Sequence, residues 1–313
     1  MLPAGPLRDA LLFGGALFAL QVATPLVNAL GMDAAHRGVQ VDFGTARAAG
    51  SFAFALTSLG AGAVVAAAGA GVLPLLIVAV QVLLAVAALT FVFRRRVLAV
   101  GEPEPGAPAA QPEPAPLDAA GRRLFLVLLV GMTGAYVSHS MINTYLFQIA
   151  THHGGGAAHL GIGFTIAATI ETIPMLFFRR LVARWSPAVL LRVAAVGLAV
   201  KAVATLVAPD LTSFLATMLL QVVSFALLIP ASVYYVDRLL PAAERVRGQA
   251  YMTLTLTLGS VFAGLIGGPL LDAAGVPALL AAGTAAAVIG VVGVVLGAPA
   301  RSRAPQEAGA PRP

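Results

Sequence analysis

The chain has no cysteine in its 313 residues, which removes disulfides, zinc–thiolate sites and thiol catalysis from consideration. Charge is almost as scarce: 10% of the residues are Asp, Glu, Lys or Arg, where a soluble domain keeps about a quarter. That is too little to solvate a water-facing globule. With 59% apolar residues and a mean hydropathy of +0.93, much of the exterior must use lipid as its solvent. Lysine is reduced to one residue, Lys201. The net charge of +6 would suggest nucleic acid in a soluble protein. Here the basic residues sit in short clusters between apolar runs, where membrane topology uses them, so no nucleic-acid partner is expected. No HExxH or GxSxG motif occurs, and no cofactor or metal is implied.

What is present is a succession of long apolar stretches. Crossing the hydrocarbon takes about 20 apolar residues in a helix, because only internal hydrogen bonding can satisfy the backbone there. Residues 10–32 make the first such stretch. Residues 48–93 are long enough for two, with Gly69, Gly71 and Pro74 marking the turn between them. A further double-length stretch begins at Leu124, is divided by THHGGG at 151–156, and meets its first charge at Glu171. The second half ends near Phe178. Residues 189–207, 211–236, 248–271 and 276–297 complete about nine spans. A signal-peptide reading of the start fails, since residues 1–8 lack a basic n-region and 10–32 is long for an h-region.

Arginine follows alternate spans: Arg94, Arg95, Arg96, Arg122 and Arg123; then Arg179, Arg180 and Arg184; then Arg238, Arg245 and Arg247; then Arg301, Arg303 and Arg312. The connections between these have neither Lys nor Arg. By the positive-inside rule the C-terminus is cytoplasmic and Met1 lies outside. Residues 101–116, GEPEPGAPAAQPEPAP, are proline-rich and acidic with too little apolar content to fold, and read as a cytoplasmic tether. The expected organisation is a three-helix bundle over 1–93, a linker over 94–123, a six-helix bundle over 124–298 and a tail over 299–313.

Specific segments carry a resemblance. DFGTARAAG at 42–50 with the following SFAFALTSLGAG, GPLRDALLFGGALFAL near the start, YYVDRLLPAAERVRGQAYM at 234–252 and GSVFAGLIGGPLLDAAG after it resemble the lactose permease and oligosaccharide/nucleoside:proton symporter branch of the major facilitator superfamily. Arg47-x-x-Gly50 echoes Arg245-x-x-Gly248 at equivalent places in the two halves. The resemblance implies an all-α polytopic fold of two six-helix halves, each built of two three-helix repeats. Three spans before the tether and six after it imply that the first three helices of that plan are lacking.

A charge at mid-bilayer needs a partner or a function, and two stand out within the apolar spans, Glu171 and Lys201. They are expected either to pair across neighbouring helices or to face a central cavity. In the resemblance Lys201 takes the place of a cavity arginine, Glu171 that of a carboxylate of the eighth helix, Arg47 that of a sugar-binding arginine, and Phe54 that of a ring stacked on sugar. The chain departs from the permease elsewhere. Asn28 replaces a glutamate, Gln221 and Ser224 replace the histidine and proton-carrying glutamate, and Val137 and Ser140 replace two aspartates. Polar Asn28, Gln221 and Ser224 suit hydrogen bonding to a hydroxyl- or amide-bearing solute, or to neighbouring helices. His152, His153 and His159 read as exposed loop residues, and His139 beside Ser140 is no catalytic pair, since neighbours on a helix diverge by about 100°. Gly264-x-x-x-Gly268 and the Gly60/Gly62 region read as close-packing points.

These features point to a secondary active transporter of the inner membrane moving a small polar solute such as a sugar or nucleoside. It would work by alternating access, with Glu171 as proton carrier. Its partners are the solute, protons and the bilayer; no oligomer is indicated. The alternative is a non-transporting membrane protein derived from the same fold, whether a truncated fragment, a sensor or a scaffold. A membrane enzyme is disfavoured because no nucleophile–base or metal constellation appears.

Overall fold

The computed structural model describes residues 43–90 and 116–299. The expected first span over residues 10–32 with Asn28, nearly all of the Pro-rich tether, and the tail beyond Ala298–Pro299 lie outside them. The chain divides into two compact units, Met1–Ala46 with Ala79–Ala110 and Arg47–Val78 with Gln111–Pro313. In the first, the described residues are helical: the opening turn of α1 (Phe43–Ala68) and the second half of α2 (Leu73–Thr90). Between these helices Gly69 takes a φ of 80°, a conformation only glycine enters freely, and the turn falls where the Gly/Pro cluster predicts it.

The second unit holds the rest of α1 with α3 (Ala119–Thr144), α4 (Leu146–His152), α5 (Ala157–Arg184), α6 (Pro187–Leu206), α7 (Leu211–Thr217), α8 (Phe225–Leu239) and α9 (Ala242–Gly297). Among the described residues every regular element is helical, and six helices are long and apolar enough to cross a membrane. Their starts are set locally. Asp118 accepts from the Gly121 N–H at 2.7 Å to cap α3, Ser186 accepts from Val189 ahead of Pro187 to cap α6, and Asp210 accepts from Ser213 at 2.8 Å to cap α7. Apolar side chains stand on the outside: Leu75, Leu83, Leu126, Leu265 and Leu296 are each 60% exposed or more. On a water-soluble monomer such a surface would be an aggregation liability; in a bilayer it faces acyl chains.

α9 spans 56 residues, about 84 Å of continuous helix if straight and far more than a bilayer is thick. It is not straight. Gly275 interrupts it with φ 75° and ψ −173°, and Pro277 follows. The neighbours of α3 show the consequence. Gly259 and Gly267 meet Tyr136 and Tyr145, while Gly283, Gly290 and Gly297 meet Met141, Ala135 and Leu128. One half of α9 therefore ascends α3 and the other descends it. The break falls at Gly275, between the expected 248–271 and 276–297 spans.

Glycine makes the second contact unusually close. A Cβ on Gly131 would stand 2.5 Å from the Gly293 carbonyl carbon, and one on Gly290 would stand 2.7 Å from the Ala135 nitrogen. The two backbones touch with no side chain between them, as small residues allow in lipid. Of the packing points expected from sequence, Gly62 does lie against Gly161, but among the described residues no atom comes within 4 Å of a Cβ at Gly60 or Gly264. That expectation is corrected: the tight seam is Gly131 with Gly290, Gly293 and Gly297. The larger core cluster joins α3, α6, α8 and α9 through Leu128, Met132, Leu191, Leu198, Leu228 and Val294.

Candidate functional site

α1 and α5 pack antiparallel, Gly62 against Gly161 and Thr165 donating to the Ala55 carbonyl at 3.0 Å. Further along, the helices leave a cavity of about 450 Å³. From α1 it takes Gly50, Ser51 and Phe54; from α5, Phe164, Ala167, Ala168 and Glu171; from α3, His139 and Asn143. These positions recur every three or four residues, so each helix contributes a single face. Gln221 and Phe225 close the wall.

Gln221 does not sit on an ordinary helix. Residues 211–239 are apolar enough for one span, as expected, but α7 gives way to a 3-10 turn over Met218–Val223, and Ser224 breaks the path with φ −110° and ψ −106°. Irregular backbone at membrane depth survives only where protein or a cavity surrounds it. Ser224 is fully buried and spends its hydroxyl on the Leu220 carbonyl at 2.9 Å, so it does not line the cavity. Gly197 of α6 lies against the Val223 carbonyl at this break, where a Cβ would collide with it.

The break aims Gln221 between the two intramembrane charges. Its amide nitrogen donates to the Glu171 carboxylate at 2.7 Å, and its carbonyl oxygen accepts from the Lys201 ammonium at 2.5 Å. The amide dipole is thereby aligned with both charges, and each bond is charge-assisted. Lys201 is 0% exposed and stands behind Gln221 rather than on the cavity surface. Pro174, three residues after Glu171, removes the N–H that would have bonded the Ile170 carbonyl and loosens α5 beside the carboxylate.

Of the residues singled out in the sequence, Phe54, Glu171 and Gln221 come together on the cavity and Lys201 joins them through Gln221. Phe54 meets Phe164 edge-on at 5.9 Å between ring centroids. Arg47 is in α1, one helical turn before Gly50 and Ser51; its side chain and Asn28 lie outside the described residues. Sequence reading missed the cavity positions of Ser51, Phe164 and Phe225 and the pairing of His139 with Asn143. His139 stacks on Phe225 with centroids 3.8 Å apart and planes 1° from parallel, and Asn143 donates to the His139 carbonyl at 2.9 Å. The spacing of those last two, four apart on one helix face, was the available signal.

The loop histidines are structural in their contacts. His159 accepts from the Gly156 N–H at the start of α5, and His153 stacks over Phe214. Burial chiefly, and then His152, lowers the affinity of His153 for a proton, with Asp210 opposing. Among the described residues no group of three metal-ligating side chains gathers.

A bundle of lipid-facing helices around a cavity lined by a carboxylate and an amide, with a buried ammonium behind the amide, fits a multi-pass membrane protein of the transporter class. The chain belongs to the MFS_1 like family, within the major facilitator superfamily: the family's model matches residues 9–280. No curated protein matches the chain, and no solved structure does.

Proposed function

We propose that the chain is a secondary active transporter that moves a small polar solute across the inner membrane by alternating access, coupled to protons through Glu171. The observation carrying this reading is the hydrogen-bonded sequence Glu171–Gln221–Lys201 in the wall of an intramembrane cavity. Protonating Glu171 removes the charge that the Gln221 amide donates to, and the Lys201 ammonium loses its nearby counter-charge across one side chain. Gln221 sits on the 3-10 turn, the part of its span with the fewest regular helical bonds, so the change in charge reaches a segment able to shift. The solute would lie against Phe54 and the amides, with Arg47 and Asn28 completing the set.

On this reading residues 10–32 form the first of nine spans, the tether joins three helices to six, and the C-terminus is cytoplasmic. The test uses the intact protein in proteoliposomes. Glu171→Gln should keep downhill exchange of a transported solute and lose its accumulation under an imposed proton gradient. Accumulation by Glu171→Gln that still follows the gradient would contradict the coupling. A wild-type protein that moves no solute across a broad panel would instead favour the sensor or scaffold.

A further inference from the structure

We infer that the solute is a flat heteroaromatic compound, held by stacking and by one ring edge, rather than a polyhydroxylated one. The inference rests on the transporter reading and narrows it to a substrate class. Three phenyl rings and an imidazole line the cavity: Phe54, Phe164, Phe225 and His139. Phe54 and Phe164 form an edge-to-face pair, and His139 and Phe225 lie parallel as one two-ring plate, so both groups are set in place by contact with each other. Aromatic faces fixed in this way suit a planar guest, which gains by stacking on them.

The polar groups argue the same way. A solute rich in hydroxyls would need a partner for each one it takes out of water, and every group left unmet weakens its binding. The amides and the hydroxyl of this lining have turned much of their capacity inward. The Gln221 carbonyl is taken by Lys201 and one amide hydrogen by Glu171. Asn143 donates to the His139 carbonyl, and the Ser51 hydroxyl faces the Met175 sulfur. Beyond the Glu171 carboxylate and the His139 ring nitrogens, the lining offers the second amide hydrogen of Gln221 and the side-chain oxygen of Asn143, one donor and one acceptor. A ring edge carrying an acceptor beside an N–H or amino group matches that pair, and the ring's flat faces meet the four rings in a way that a sugar's do not. The volume, about 450 Å³, falls in the ~300–1,000 Å³ range of small-molecule sites.

The test is equilibrium binding to the purified intact protein with adenine, uracil and nicotinamide as planar probes, and sucrose and trehalose as hydroxyl-rich ones. At least one planar probe should bind and compete with the other planar probes that bind, with no effect of either sugar. Phe225→Leu and Phe164→Leu should each weaken it on the order of 10-fold, and Asn143→Leu similarly, with thermal midpoints near wild type. If Phe225→Leu fails to fold, Phe164→Leu carries the comparison from the other wall. Binding of a sugar, failure of all planar probes, or planar binding that ignores both phenylalanine variants would each overturn the inference. A protein that accumulates sucrose under a proton gradient would overturn this inference while leaving the transporter standing. One that accumulates no solute would remove the transporter reading as well.

Discussion

Two contacts in the second unit are made in opposite ways. Where α3 meets the descending half of α9, Gly131, Gly290, Gly293 and Gly297 bring backbone against backbone, and Ala135 beside them is 1% exposed. Where α5 meets the 211–239 span, the contact is polar: Glu171, Gln221 and Lys201 bridge a helix that has broken into a 3-10 turn. The first contact tolerates no displacement, because dispersion falls off steeply with separation. The second is held by two charge-assisted bonds that a single proton can weaken. On the proposed coupling, the seam of glycine serves as frame and the polar break as the part that responds.

The comparison breaks most severely at the seam. Gly131→Val should place methyl groups inside the Gly293 backbone, which has no rotamer to yield, so the cost should exceed the ~1–3 kcal/mol of ordinary overpacking. The expected result is loss of the monodisperse peak in size-exclusion chromatography; a stable, well-folded variant would mean the helices are not in contact.

Smaller but still large is Gln221→Leu. It leaves a fully buried ammonium without its hydrogen-bond acceptor and should destabilise by about 1.5–3 kcal/mol, read as a lowered thermal midpoint. Lys201→Met in the same background should recover much of that loss, because the orphaned charge goes with it. No recovery in the double variant would show that the bond contributes little.

At the start of the 211–239 span the effect is modest and depends on pH. The Asp210 carboxyl is held below its ordinary value, first by the backbone N–H of Ser213 and then by its hydroxyl. A depressed folded value means the contribution is present above the ordinary carboxylate value of about 3.9 and is lost as pH falls through the folded one. Asp210→Asn should flatten the fall in thermal midpoint over that acid window and leave neutral pH nearly unchanged. An unaltered acid profile would count against the cap.

The smallest effect expected is Gly264→Ala. Among the described residues nothing stands within 4 Å of the added methyl, so stability should stay within about 0.5 kcal/mol of wild type, in contrast to Gly131→Val. Comparable damage from both would dissolve the distinction between the seam and the other glycines.

Much of the frame was legible before any coordinates. The turns at Gly69 and Gly275 carry the glycine and proline that such turns require, and Glu171 and Lys201 announced themselves as charges in apolar runs. The 3-10 turn was not legible, because MLLQVV contains neither proline nor glycine and reads as plain span. Its cause lies in distant partners, Gly197 and the two charges. The seam was hidden for a related reason. A glycine pattern shows that a helix can be approached closely, but not which neighbour approaches, so Gly264-x-x-x-Gly268 looked as good as Gly290 and Gly293. Likewise Phe225 and His139, 86 positions apart, meet only through the packing of α3 with α8.

The absence of cysteine makes the central claim directly measurable, since any introduced thiol is unique. Ser51→Cys and Ala168→Cys would report from the cavity wall, and Ala135→Cys from the seam. Alkylation by a membrane-impermeant maleimide, in vesicles held at acid and at neutral pH, compares the two regions in one experiment. Because thiolate reactivity itself varies with pH, each thiol is compared with the same thiol in Glu171→Gln. The account predicts a pH dependence at 51 and 168 that differs between the two backgrounds, while the thiol at 135 stays unlabelled throughout. The same pH dependence at 51 and 168 with and without Glu171→Gln, or a thiol at 135 that becomes reactive, would contradict it.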